Sequence, residues 1–441
     1  MTSAQDSSQK LHIAIAGAGI AGLTAAIALL KHPLIEISIY EKATELKEIG
    51  ASIALGPNGL RTLERLGLHD AISDDVAFRG PSNLPMIYRH WKTNEVIGND
   101  SHENVTEYLH QTARYHRGHL HAALAKHVPS EIIHLRKQIV DVEVDPSQGV
   151  TLKFQNGSTA TADLLLGADG LHSGVRQSFV PNFELKWSGW TAIRATFDAS
   201  LVESIPDLPE DSIHWWGPTN SFFSSRLGKN SFTTVGSVFG DPDDPKALYK
   251  DVSWDEDASL QAFREIFKDW NPVVRQLTEL TPNVRFYPNY SCSTYLDTWV
   301  FGDRVTLIGD AAHAHGGAHA TGGSLAIDDA YTLYLALDSV FPVTSAHKPS
   351  SEEISRALRL YETIRKPHAE RLLKVVHTGN NARIQKLRSG RVEPDEELRA
   401  RAAKGSSTNW LHEHDVVMAF EEAVVRSSGG GVILEAVSAR L

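Results

Sequence analysis

Residues 11–43, LHIAIAGAGIAGLTAAIALLKHPLIEISIYEKA, leave the chain few folds to adopt. An apolar run at Ile13, Ala14, Ile15 and Ala16 meets glycines at Gly17, Gly19 and Gly22. An Ala- and Leu-rich run at helical spacing follows, then a β-branched segment (Ile35, Ile37, Ile39) that ends at Glu41. This pattern predicts strand, tight turn, helix and second strand, with an acid at the tip of the second strand. Gly17 permits the turn, Gly19 leaves room for a pyrophosphate at the backbone, and Gly22 lets the helix pack close to the sheet. The helix start at Ile20, Ala21 and Gly22 offers N–H groups and about half a positive charge to phosphates. Glu41, with Lys42 beside it, is in range of an adenosine ribose. Three glycines inside the apolar run, and a polar MTSAQDSSQK before it without a basic segment, argue against a signal or membrane helix.

With 441 residues there is room for two or three domains. The net charge of −11 disfavours a nucleic-acid partner or an anionic membrane surface, but not a small anion held by one or two local cations. Cys292 is the only cysteine, so no intramolecular disulfide and no cysteine metal site is expected. The 21 histidines form no HExxH pattern, so no metal is expected either. With no targeting segment evident, the expected location is cytoplasmic.

After Glu41 come a loop with Glu48, Gly50 and Ala51, a helix opened by Pro57 and Asn58, and a hairpin around Thr93 and Asn94. A helix with Arg117, His119 and Leu120 follows; its basic residue could reach back towards the dinucleotide. Alternating segments around Ile139–Val144 and Val150–Phe154 add strands, with an NG turn at Asn156 and Gly157. DLLLGADGLHSGVRQ (163–177) is a second strand–glycine–helix junction, with Asp169 and Gly170 in its turn. From about Lys186 to Asp241 helical spacing gives way to alternating runs, which predicts an antiparallel sheet. This sheet mixes Trp187, Trp190, Trp215, Trp216, Phe222 and Phe223 with Arg194, His214, Ser224, Ser225 and Arg226, the make-up of a small-molecule site. Residues 254–280 return to helix. A third junction, VTLIGDAAHAHGGAHATGGS, places Asp310 after a strand and before a loop whose Gly316, Gly317, Gly322 and Gly323 let backbone approach a planar ligand. A long amphipathic helix interrupted at Pro367 and a polar tail complete the chain.

GAGIAG with Glu41, GADGLHSGVR and GDAAHA, in this order and separation, resemble the three FAD signatures of class A flavoprotein monooxygenases, the family of para-hydroxybenzoate and salicylate hydroxylases. The resemblance covers about residues 10–385. It implies an α/β fold: a Rossmann-like FAD-binding domain (10–185 and 291–345), an antiparallel-sheet substrate domain (186–290) and a C-terminal helical region (346–441). It implies that the first motif holds the ADP half of FAD, that Asp169 supports the pyrophosphate and the path of NADH or NADPH, and that Asp310 bonds the ribityl chain. Arg117 matches the family's FAD-contacting arginine. Arg194 falls where related fungal phenol hydroxylases place an arginine at the edge of flavin and substrate. Gly317 stands where many relatives carry proline.

The chemistry so implied is reaction of reduced flavin with O2 to a hydroperoxide, which hydroxylates an electron-rich ring; the protein supplies orientation, water exclusion and charge. Arg194, His214, Arg226 or His319 would hold a phenolate or a carboxylate. The expected substrate is a small aromatic hydroxybenzoate-type acid, hydroxylated with or without loss of carbon dioxide. A larger polyketide-type phenol, an alkene epoxidase, a non-oxygenating FAD oxidoreductase and a homodimer all stay open.

Overall fold

The computed structural model describes residues 10–46, 51–247, 250, 256–405 and 408–427; Glu48 and Gly50 lie outside them. Two sheets organise the chain. The first has six strands in the order Val300–Phe301, Val305–Leu307, Leu164–Gly167, Leu11–Ala16, Ile35–Tyr40 and Ile133–His134, all parallel except the first. The central strands are near-continuous apolar runs because helices cover both faces. The helices Ile20–Leu29 and Gly322–Val340 contribute to the same buried core as these strands.

The second sheet has seven strands in the order Arg285–Cys292, Leu185–Asp198, Ser231–Phe239, Ser221–Leu227, Ile213–Trp216, Met86–His90 and Val96–Asp100. The Thr93–Asn94 hairpin expected from sequence is present, with Asn94 at φ +61°, and it joins this second sheet through a parallel pairing of Met86–His90 with Ile213–Trp216. One face packs Trp215, Phe222 and Phe232 against the helices Glu256–Phe267 and Pro272–Leu280, with Phe263 and Phe267 among the closest rings. The other face turns towards a separate three-stranded sheet of Ser52–Leu55, Ala113–His116 and Ala77–Phe78, where Thr233 Oγ1 meets Ser52 Oγ at 3.2 Å.

The long C-terminal helix runs unbroken from Ser351 to Arg388, so the expected interruption at Pro367 does not occur. A proline has a helical φ and costs the helix the bond to the carbonyl four residues earlier, here that of Thr363. Thr363 and Pro367 both lie on the exposed side, so that carbonyl is on the solvent face of the helix rather than in the core. Buried Tyr361, Arg365, Ala369 and Leu372 hold the helix on both sides of the gap. Helix Asp395–Ala403 closes over the hairpin so tightly that a Cβ on Gly98 would lie 2.2 Å from the Ala402 carbonyl oxygen.

Candidate cofactor and substrate site

Sheet order explains why three distant motifs form one site. Strands Leu11–Ala16, Leu164–Gly167 and Val305–Leu307 are neighbours and parallel, so the glycine turns at their carboxyl ends converge. The ends are knitted together by backbone bonds from Ala168 N–H to the Ala16 carbonyl and from Ile308 N–H to the Gly167 carbonyl, both 2.9 Å. Ligands of open α/β sheets bind at such strand ends.

In the first turn, Gly17 has φ +98° and a Cβ there would meet the Ala168 carbonyl oxygen at 2.6 Å. A Cβ on Gly22 would sit 2.0 Å from the Gly17 carbonyl oxygen, which is the close helix packing expected of that glycine. Around Gly19 nothing lies within 4 Å, so its backbone faces open space at the start of helix Ile20–Leu29. No side chain caps that helix and no acid occupies its first turn, a combination suited to phosphate. Ile20 is buried, Ala21 is half-buried, and Lys42 beside the tip of the next strand is exposed.

Glu41 does more than wait for a ribose. Its Oε2 accepts from Ala18 N–H and its Oε1 from Ala43 N–H, both at 2.8 Å. On the other side of the same turn, the Ala18 carbonyl oxygen lies 2.7 Å from Nε2 of His121, a residue that no motif in the chain singles out. Glu41→Ala therefore removes a carboxylate that also shapes the glycine turn, at about 1–2 kcal/mol, or about ten-fold in FAD affinity. Titrating apoprotein with FAD checks this, and wild-type affinity would show that the turn holds its shape unaided.

Asp169 is half-buried. Its Oδ2 accepts from Val175 N–H at 3.1 Å, while its Oδ1 is buried without a partner among the described residues. Burial raises its pKa, against the bonds from Ser173 and the nearby backbone. Gly170 beside it has φ +77°. Arg176, on the helix after this turn, ties the second motif to the third. It donates from Nη2 to the Leu171 carbonyl (2.6 Å) and from Nη1 to the Ala311 carbonyl (2.8 Å).

Asp310 is exposed at the head of the one-turn helix Asp310–His313, with Gly309 before it at φ +61°. Gly322 and Gly323 open the helix Gly322–Val340, and a Cβ on Gly322 would reach 3.9 Å from Asp310 Oδ1. Arg117 begins the helix Arg117–Ala125, and its N–H donates to the Ala51 carbonyl at 2.7 Å. An open phosphate turn, an uncapped helix start, an orphaned buried carboxylate oxygen and an exposed Asp310 on one edge fit an extended dinucleotide such as FAD.

The substrate-side residues follow the parity of the second sheet. One row across adjacent strands carries Arg285, Arg194, Val235, Phe223, His214 and Tyr88, so all six share the face opposite the helix-packed core, where Arg114 of the three-stranded sheet lies over the Phe223 ring. On this face Trp190, Arg194, His214, Trp216, Phe223 and Val235 are half-exposed, while Ile193, Trp215, Phe222 and Phe232, on the other, are buried. An aromatic wall with accessible surface between two layers is therefore present. Arg226 does not join it. It pairs with Phe232 and alternation puts it on the core side with Phe222, so the sequence-level grouping of Arg226 with Arg194 is corrected.

Arg194 reaches the loop after Asp310: a Cβ on Gly317 would lie 3.8 Å from its Nη2 and equally close to the Trp190 ring. Burial lowers its pKa; Tyr287 opposes this and Arg117 adds to it. Among the described residues no carboxylate pairs with Arg194, and its Nε is buried without a partner. His214 lies three strands away along the row, about 14 Å at ordinary strand spacing. It sits among Tyr88, Trp216 and Phe223, 2.9 Å from Ser221 Oγ. Burial, then Arg114 and Arg401, push its pKa down to about 3, so it is a neutral wall residue rather than a cation. His319 is exposed, at φ +56°, in the loop after Asp310. Gly316 and Gly317 both have left-handed φ, near +71°, which proline cannot adopt. The loop thus departs in shape, not only in sequence, from one carrying proline at this point.

Among the described residues no helix is long and apolar enough to cross a membrane. A family model described as an FAD binding domain matches residues 10–376. Salicylate hydroxylase of Pseudomonas putida is 29% identical, with 94% of each chain covered. The 6-hydroxynicotinate 3-monooxygenase of Pseudomonas fluorescens is 30% identical over 84% of this chain and 91% of its own length. The solved substrate complex of a salicylate hydroxylase superposes with a TM-score of 0.73 at 24% identity, covering 94% of this chain and 98% of that one. Three strand-end turns gathered on one sheet edge, an FAD-domain match over most of the chain and these full-length relatives together place the chain in the FAD-dependent aromatic hydroxylases, the flavoprotein monooxygenase family of salicylate hydroxylase.

Proposed function

We propose that this protein hydroxylates a single-ring phenolic acid of the hydroxybenzoate type, using NADH or NADPH and O2, with loss of the carboxyl group as carbon dioxide. Arg194 carries the reading: a guanidinium without a carboxylate partner among the described residues, on an aromatic face and against the glycine loop that follows Asp310. A substrate carboxylate or phenolate would supply the charge-assisted bond that this cation lacks. Bound FAD would supply the oxygen chemistry, and the chain's own part is binding and orientation. Gly17, Gly19, Glu41 and Asp169 would hold the nucleotide half, and Asp310 the ribityl chain. Arg117 and Arg194 would make the space between the layers positive, favouring the ionised phenol. Trp190, Phe223 and Trp216 would wall the ring and exclude water. An OH delivered as an electrophile is directed ortho or para to the phenol oxygen; at a carbon bearing carboxylate, loss of carbon dioxide restores aromaticity.

The purified protein should be yellow and release FAD on acid precipitation. Hydroxybenzoates and the corresponding decarboxylated phenols, supplied with NADH or NADPH while products are identified, provide the test. The expected result is reductant oxidation triggered by the acids, with a hydroxylated, decarboxylated product. Retention of the carboxylate would remove the decarboxylating step, and turnover only of non-acidic polyketide rings or alkenes would remove the substrate class.

A further inference from the structure

Behind the cofactor edge lies a fully buried ionic cluster. Asp329, inside the helix Gly322–Val340, is wholly buried. Its Oδ2 accepts from Gly309 N–H at 2.9 Å and lies 2.6 Å from His313 Nε2, while its Oδ1 accepts from Arg365 Nε at 2.8 Å. Gly309 and His313 are the residue before and the last residue of the one-turn helix that carries Asp310. A single carboxylate oxygen therefore pins both ends of that turn. Only Asp310, at its head, projects to the exposed side. Arg365 comes from the long C-terminal helix, donates also to the Leu325 carbonyl, and has its Nη1 buried without a partner among the described residues. Burial opposes the charge of Asp329, but His313 and Arg365 hold its pKa below the ordinary carboxylate range.

We propose that Asp329, held by Arg365, is a positioning residue for the cofactor: it sets where the Asp310 carboxylate is presented, and so couples the C-terminal helix to FAD affinity. Gly309 has a left-handed φ of +61°, and the bond from its N–H to Asp329 fixes the peptide that orients the next residue. Released from that bond, the turn can rotate Asp310 away from the ribityl hydroxyl without any change at Asp310 itself. The proposal rests on Asp310 being an FAD contact.

The test is a double-mutant cycle read as FAD affinity, by quenching of flavin fluorescence on titrating apoprotein. The proteins are wild type, Asp310→Ala, the paired variant Asp329→Leu with Arg365→Met, and the combination of all three. The paired variant removes both buried charges together and leaves Gly309 N–H without its acceptor. Asp310→Ala and the paired variant should each weaken binding by roughly ten-fold. The combination should bind about as weakly as Asp310→Ala alone, because residues acting through one contact are not additive. Losses that multiply would show that Asp329 acts on the fold at large, and overturn the proposal. A folded paired variant with wild-type affinity would overturn it too, leaving Asp310 in place. Wild-type affinity in Asp310→Ala would instead remove the reading of Asp310, and this proposal with it. Should the paired variant not fold by circular dichroism, His313→Leu, which frees only the far end of the turn, enters the same cycle with the same two outcomes.

Discussion

Replacing Arg365 with methionine on its own is expected to destabilise the fold by about 3–5 kcal/mol, because it leaves Asp329 as a buried charge without its cation. Both side chains are fully shielded from solvent, and the bond between them is 2.8 Å long. Neighbouring Asp328 sharpens the effect. Burial already pushes that carboxyl up to about 6, against Arg365, Asn58 and Thr62, so removing the arginine deprives Asp328 of its main positive charge and leaves Asp329 with His313 alone. Thermal unfolding followed by circular dichroism measures the loss. The doubly neutral Asp329→Leu/Arg365→Met protein should recover much of it, since well-packed apolar replacements of a buried ion pair are often tolerated. A wild-type unfolding midpoint in Arg365→Met would mean that water or another group solvates Asp329.

Arg194→Gln is expected to weaken binding of a ring acid by about 2–3 kcal/mol, roughly 30- to 150-fold, the usual scale for a hydrogen bond to a charged group. The loss should appear for acids and largely vanish for the corresponding phenols without a carboxylate. Substrate binding to the oxidised flavoprotein, followed through the flavin absorbance, separates the two directly. Equal losses for acid and neutral phenol would move Arg194 from recognising the carboxylate to holding the cofactor or the phenol oxygen. Because His214 stays neutral down to about pH 3, it supplies no replacement charge at working pH.

The three cofactor junctions were legible because each is written in one contiguous run of strand, glycine turn and helix. Gly17, Gly22 and the left-handed Gly170 then behave as their spacing implies. Sheet parity was not legible. Arg194 and Arg226 look alike in sequence, and only the pairing of Arg226 with Phe232 and of Arg194 with Val235 puts them on opposite faces. Nor does local pattern reveal that Met86–His90 pairs with a strand more than a hundred residues later. Asp329 and Arg365 hid for a different reason. A charge in an amphipathic helix is read as solvated, and burial of both is visible only once two helices are packed. Pro367 was misread because the rule for helix interiors counts the lost bond without asking whether the freed carbonyl faces water.

The strand order of the first sheet has a consequence for synthesis of the chain. Leu164–Gly167 pairs on one side with Leu11–Ala16 and on the other with Val305–Leu307, and the cation that neutralises the cluster behind that edge is residue 365. At ribosomal rates of about 5–20 residues per second, the gap between residues 167 and 305 corresponds to roughly 7–28 s. For that interval a growing chain holds an apolar parallel strand with one unpaired edge, the kind of surface that invites wrong partners. The three-turn cofactor edge is therefore complete only after the third junction has been made, so the chain's two earlier cofactor motifs wait on its last third.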